Sequence, residues 1–110
     1  MLYKFKSKAT GDLIMLEPNG RQILHILGKD DPASLTKGIV LPQHMPAAIT
    51  ALQAAIAQDE ADWQQCIEQA RAQGEPPPRP PSVTLRQRAL PFIDMLQRCH
   101  QADKEIVWGV

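Results

Sequence analysis

The histidine and cysteine side chains are the first candidates for chemistry, because imidazoles and thiolates ligate transition metals and serve as bases and nucleophiles. No two of them stand at the C-x₂₋₄-C or H-x₃₋₅-H spacing that is typical of a zinc site. Cys99 and His100 are adjacent, and on a helix their side chains would diverge by about 100°, so that only one of the two can face a given metal. The sequence therefore predicts no metal site and no cofactor. The candidates are His25, His44, His100, Cys66 and Cys99.

The patterns that carry covalent catalysis or nucleotide binding are also missing from the sequence. There is no G-x-S-x-G, and the adjacency of Cys99 and His100 does not orient the imidazole toward the thiol. All 6 glycines are isolated, so neither G-x-G-x-x-G nor a Walker pattern occurs. The sequence thus predicts no catalytic residues and favours a protein that is not an enzyme.

Arg86 and Arg88 are the candidate ligand-binding residues. They lie where a helix is predicted to begin, and the backbone N–H groups of a helix N-terminus favour anions. The competing interpretation is a surface ion pair with an acid of the preceding helix. His100, near the end of the same predicted helix, is a third candidate. These residues support an alternative hypothesis. In this alternative, the protein binds a small molecule or an anion, with or without enzymatic activity.

Composition limits the class of protein. The chain has 110 residues, which predicts a single domain over residues 1–110. Its 12 basic and 12 acidic residues cancel, which argues against a nucleic-acid binder and against a polybasic membrane anchor. No apolar run approaches the ~20 residues that span a bilayer, and the first residues lack the apolar core of a signal peptide. The cytoplasm is the expected location.

Charge is unevenly distributed along the chain. Residues 41–75 contain one Arg and five acids, a local charge of −4, and the segments before and after carry +2 each. A solvated acidic helix face is the ordinary interpretation. The functional alternative is an acidic surface that docks a basic partner.

Period-2 alternation and apolar runs predict strands at both ends of the sequence. Lys4, Lys6 and Lys8 alternate with less polar residues, which indicates a strand with one buried face and one solvent-exposed face. The four apolar residues at 13–16 predict a second strand covered on both faces, paired antiparallel with the first. The β-branched residues at 105–110 predict a last strand.

Helical spacing dominates the middle of the sequence. Residues 18–28 read either as a short helix, which we favour, or as a hairpin arm that begins at Asn19-Gly20. Residues 29–43 read as a loop. An apolar stripe over 45–73 predicts one long helix or two helices with a bend. The proline-rich residues 75–82 predict a stiff spacer, and Thr84 with Gln87 has the spacing of a capping box for a second helix.

Four segments of the chain, in order, resemble a known family, the domain-of-unknown-function family 1840 of short proteobacterial proteins. The family has no established activity, so the resemblance implies no catalytic residues, but it does imply a helix at 18–28. The family tends to have an acidic residue where this chain has His44, which predicts a weaker cap for the long helix. The segments are Ala9–Leu16 with Ile23-Leu24 before Gly28, Lys37–Val40 with Met45–Ile49, Ser82–Pro91, and Asp103–Trp108.

Together these patterns predict an α+β fold. A small, mostly antiparallel sheet built from both chain ends is covered on one face by a helical hairpin, whose long and short arms the proline spacer joins. The leading functional hypothesis is a non-enzymatic protein-interaction or structural module, with a protein partner or a homodimer and without a nucleic-acid or membrane partner.

Overall fold

The computed structural model describes residues 2–79 and 84–109, and it confirms the α+β class. Residues 80–83, which include the end of the predicted spacer, lie outside the described part. A 3₁₀ turn at Pro42–His44 precedes the longest helix. The elements in chain order are β1 (Leu2–Phe5), β2 (Leu13–Leu16), α1 (Glu17–Ile26), α2 (Pro32–Thr36), β3 (Gly38–Val40), α3 (Met45–Ala72), α4 (Leu85–Ala102) and β4 (Ile106–Trp108).

The strands form two antiparallel pairs, β1 with β2 and β3 with β4. A β-bridge between Lys6 and Val107 connects the pairs, with N–H···O distances of 2.8 and 2.9 Å. The strands therefore follow one another as β2, β1, β4, β3, so that the first and last strands of the chain lie side by side. This agrees with the predicted sheet from both chain ends, although it consists of two small sheets.

The hairpin of α3 and α4, together with α1, covers one face of these strands, and the core lies between the two layers. The ring of Phe5 meets the rings of Phe92 and Trp108 edge-on, at centroid distances of 4.9 and 5.7 Å. All three side chains are fully buried. Each comes from a different element (β1, α4 and β4), so this aromatic contact holds the two layers together.

Residues 18–28 are helical, as predicted, and the hairpin alternative is wrong. Pro18 occupies the first turn of α1, where its missing N–H costs nothing. Gly28 follows the C-cap with a φ of 75°, the left-handed conformation that ends many helices. Gly20 lies directly against the ring of Tyr3, so a side chain at this position would collide with β1.

The prediction of a loop over residues 29–43 was wrong, because α2 and β3 lie within it and the 3₁₀ turn begins in it. Asp31 caps α2 by accepting the Ser34 N–H at 3.1 Å, with Pro32 in the first turn. β3 forms through its pairing with β4, which lies more than sixty residues later in the chain. A three-residue strand held by so distant a partner leaves little local signal.

The long helix α3 is continuous from Met45 to Ala72, which resolves the choice between one helix and two. His44 makes no side-chain cap, as the comparison with the family predicts. α4 begins after Thr84, whose side chain and that of Gln87 form the predicted capping box. Pro91 lies inside α4, seven residues after the Thr84 cap.

Strand β2 differs from its prediction in the exposure of its side chains. Its four apolar residues were expected to be covered on both faces, but Ile14 is 53% exposed and Leu16 is 60% exposed. Met15, between them, is buried against the core. The helices cover one face of the strands, so the apolar run is buried at alternate positions.

Candidate functional site

Arg86 forms a surface ion pair at the first turn of α4. Its Nε donates to Oε1 of Glu60 on α3 at 2.6 Å, and a second guanidinium nitrogen lies 2.5 Å from the same oxygen. Both side chains are about half exposed, so the pair adds little to stability. Arg86 therefore forms the surface ion pair with the preceding helix that was the competing interpretation.

Arg88 points toward a different helix. One of its terminal nitrogens donates to Oδ1 of Asn19 on α1 at 2.8 Å. Its Nε is buried and, within residues 2–79 and 84–109, has no hydrogen-bond partner. Side chains two positions apart on a helix project about 200° from each other. The two guanidinium groups consequently do not converge on one point.

His100 lies in the last turn of α4, fourteen residues beyond Arg86, which is about 21 Å along the helix axis. Its side chain is exposed. The neighbouring Cys99 is fully buried, and its Sγ donates to Oγ of Ser7 at 3.1 Å. The structure therefore separates the third sequence candidate, His100, from the two arginines and directs Cys99 into the core.

The other histidines and acids do not gather into a chemical cluster. His25 Nδ1 lies 2.6 Å from Asp30 Oδ2, and this hydrogen bond lowers the pKa of the Asp30 carboxyl. Hydrogen bonding to Ser34 likewise lowers the pKa of Asp31, the cap of α2. In the described part of the chain, no three His, Cys, Asp or Glu side chains are grouped so as to hold a metal ion.

The most unusual surface is the side of the strands that faces away from the helices. In the register of β1 with β2, Leu2 opposes Leu16 and Lys4 opposes Ile14, so these four side chains share one face. Ile39 of β3 projects to the same side as Val107, its partner on β4. We call Leu2, Lys4, Ile14, Leu16 and Ile39 the outer sheet face.

The outer sheet face is mostly apolar and is exposed to solvent. Leu2 is 62% exposed and Ile39 42%, in addition to the two exposed residues of β2. Four of the five large apolar side chains that the described chain exposes belong to this face, and the fifth, Leu90, lies on α4. The solvated face of an antiparallel sheet is usually polar, so this concentration of exposed apolar side chains is unusual.

A second unusual surface is the far half of α3, which we call the arm (residues 57–72). The buried side chains of α3 all precede the arm, the last being Ile56. The molecule measures 52 × 28 × 23 Å, and a helix of 28 residues is about 42 Å long, so α3 runs along most of the long dimension. The arm therefore extends past the packed core.

The arm carries an open groove beside its contact with α4. The groove has a volume of about 600 Å³, with Trp63 and Cys66 on its wall. Three acidic residues of α3 lie at its rim: Asp59, Glu60 and Asp62. The acidic segment predicted from the sequence thus forms the border of an apolar depression.

Sequence reasoning missed the outer sheet face. The signal was the run at 13–16, whose length was interpreted as burial on both sides. A three-layer arrangement would need helices on both faces, yet the sequence supplies helical stripes for one hairpin and one short helix only. The small number of predicted helices was therefore the signal from which an uncovered sheet face could have been predicted.

Comparison with known proteins identifies a family for this chain but no similar curated protein or solved structure. The family model described as Domain of unknown function (DUF1840) matches residues 1–108. No curated protein and no solved structure matches the sequence. Across the described helices, none combines the length and the apolar character needed to cross a membrane.

Proposed function

The chain belongs to the DUF1840 family, whose function is unknown, and from that premise we propose that it is a non-enzymatic protein-interaction module of the cytoplasm. The module acts as a single domain, and its binding surface is the outer sheet face. The observation that carries the proposal is the set of exposed apolar side chains on this face: Leu2, Ile14, Leu16 and Ile39.

The outer sheet face contributes little to the core, which makes its apolar character informative. Phe5 and Met15, on the opposite side of the same strands, supply the buried contacts with the helices. Threonine would maintain the strand conformation at Ile14 without exposing a large hydrocarbon surface. Covering apolar surface contributes roughly 25 cal/mol per Å², so a partner gains free energy from binding there.

The partner's chemistry follows from the charge of the face. Lys4 lies between the apolar side chains and opposes Ile14 directly. An acidic partner segment with apolar anchors would bury the leucines and the isoleucines and neutralise the lysine. A second copy of the chain is one such partner, since residues 41–75 carry the charge of −4.

We expect crosslinks from the outer sheet face to depend on its apolar residues. A photoreactive phenylalanine analogue replaces Leu2 in one protein and the exposed Gln101 of α4 in a control. Irradiation in cells should give protein adducts from position 2 only. The face variant, Ile14→Thr with Leu16→Thr, should remove them without lowering Tm, because both residues are exposed and Leu16→Thr places a good capping side chain at the N-cap of α1.

Four results would contradict this proposal. Adducts from both positions alike would indicate random collisions, and adducts that persist in the face variant would place the contact elsewhere. Adducts that nuclease treatment removes would indicate a nucleic-acid partner. An absence of adducts at position 2 would also count against the outer sheet face.

Anion binding near Arg86 and Arg88 is a second candidate function. It is favoured by the buried Arg88 Nε, for which the described residues supply no acceptor. We expect Arg86→Gln with Arg88→Gln to weaken the binding of phosphate or citrate at least tenfold in calorimetry, because the charge that attracts the anion is gone. Equal binding by the variant and the native protein, or no binding by either, would eliminate this candidate, and His100→Gln tests the third residue separately.

A further inference from the structure

We propose that the outer sheet face binds the arm of a second copy of the same chain, so that copies associate head to tail. This inference rests on the proposed function and names the partner. The arm is the occupant because it offers the two properties that the face requires, acidic charge and an apolar depression.

Charge favours the arm over a second sheet face. The arm carries Asp59, Glu60, Asp62 and Glu68 against Arg71. Because Arg86 of α4 already pairs with Glu60, the acids beside the groove that remain for a partner are Asp59 and Asp62. Lys4 lies on the outer sheet face. If two outer sheet faces met, lysines would approach lysines, whereas an arm on a sheet face brings carboxylates to ammonium groups. Opposite charges across an interface also set the register and accelerate association.

The shapes of the two surfaces are also compatible. Ile14 and Leu16 are neighbours on one face of β2, about 7 Å apart, and both project into solvent. The groove beside Trp63 has a volume of about 600 Å³, which is enough for two aliphatic side chains. Docking would cover the apolar wall of the groove and the exposed residues of β2 in the same contact.

The two surfaces belong to separate elements, β1 with β2 and the far half of α3. A contact between unlike surfaces leaves each pair of copies with one unused arm and one unused face. Such heterologous contacts either close into a ring or continue as an open chain. We therefore expect the mass of the assembly to rise with concentration beyond a dimer.

The test combines two variants that each lose one surface. The face variant is Ile14→Thr with Leu16→Thr, and the arm variant is Asp59→Asn, Asp62→Asn and Trp63→Ala. Sedimentation equilibrium should show each variant as a monomer and their equimolar mixture as a 1:1 dimer that grows no further, because only one competent interface remains. The native protein should associate with a Kd on the order of micromolar, as expected for a small interface.

A charge-matched control separates the arm from overall charge. Gln97→Lys with Gln101→Lys adds two positive charges on exposed positions of α4, the same change in net charge as the arm variant. This control should associate like the native protein. Raising the salt from about 50 to about 300 mM should weaken native association severalfold, because the ion pairs are near the surface.

The outcomes separate this inference from the proposed function. A native protein that stays monomeric at about 1 mM, or an arm variant that still self-associates, overturns the head-to-tail contact. If adducts from position 2 nevertheless form with another protein and disappear in the face variant, the proposed function stands and only the identity of the partner is wrong. If both experiments fail, both proposals are withdrawn.

Discussion

Trp108→Ala is expected to reduce the free energy of unfolding by about 3–5 kcal/mol, a large part of the total stability of a domain of this size. The indole is fully buried, meets Phe5 edge-on and lies over Gly38, where no side chain intervenes. Its Nε1–H donates to the Ser34 carbonyl at 2.7 Å. Alanine would leave a cavity between the layers and remove the donor that links β4 to α2. Urea denaturation followed by circular dichroism measures the loss.

The second tryptophan provides a matched control. Trp63 is half-buried on the arm, beyond the last buried residue of α3. Trp63→Ala should therefore cost less than Trp108→Ala, about 1–2 kcal/mol, since it removes a partly covered ring and leaves no enclosed cavity in the core. Equal losses for the two variants would mean that the arm is part of the cooperative core, which would contradict the packing described for α3.

Gly38→Ala is expected to destabilise the protein by about 1–3 kcal/mol, although it adds a single methyl group. A Cβ at this position would lie within 3 Å of three atoms of the Trp108 indole. The indole is enclosed on its other sides by the core, and its Nε1 is held by the Ser34 carbonyl. The ring therefore has little room to move, and the strain falls on the pairing of β3 with β4.

A double-mutant cycle tests this cause directly. In the Trp108→Ala background the obstacle is gone, so Gly38→Ala should cost several times less than in the native protein. Gly11→Ala is the control, because a Cβ there would meet nothing within 4 Å. Equal costs of Gly38→Ala in the two backgrounds would show that the loss arises from the strand backbone and not from the indole.

The ends of α1 and the start of α4 were predictable because their signals are local. Pro18 and Gly28 mark the first turn and the end of α1, and Thr84 with Gln87 caps α4. The strand β3 was not predictable in this way, since its three residues depend on a partner strand far along the chain. Its formation is decided by packing, to which Gly38 contributes by making room for Trp108.

The positions of the candidate residues along the helix were predictable from the sequence, but the directions of their side chains were not. Sequence reasoning placed Arg86 and Arg88 at the start of α4, where they lie. Their contacts with Glu60 and Asn19 depend on how three helices pack, which a linear pattern does not contain. The exposure of the outer sheet face depends on the number of layers, a property of the whole fold.

The bridge between Lys6 and Val107 has a consequence for synthesis on the ribosome. β1 emerges about 100 residues before β4, which at about 5–20 residues per second is a delay of roughly 5–20 s. During that interval β1 and β3 each lack the neighbour that separates them in the finished protein. Their hydrogen-bonding edges are then open to other nascent chains. The same long sequence separation slows the closing step, so the chain is most prone to aggregation just before its last strand appears.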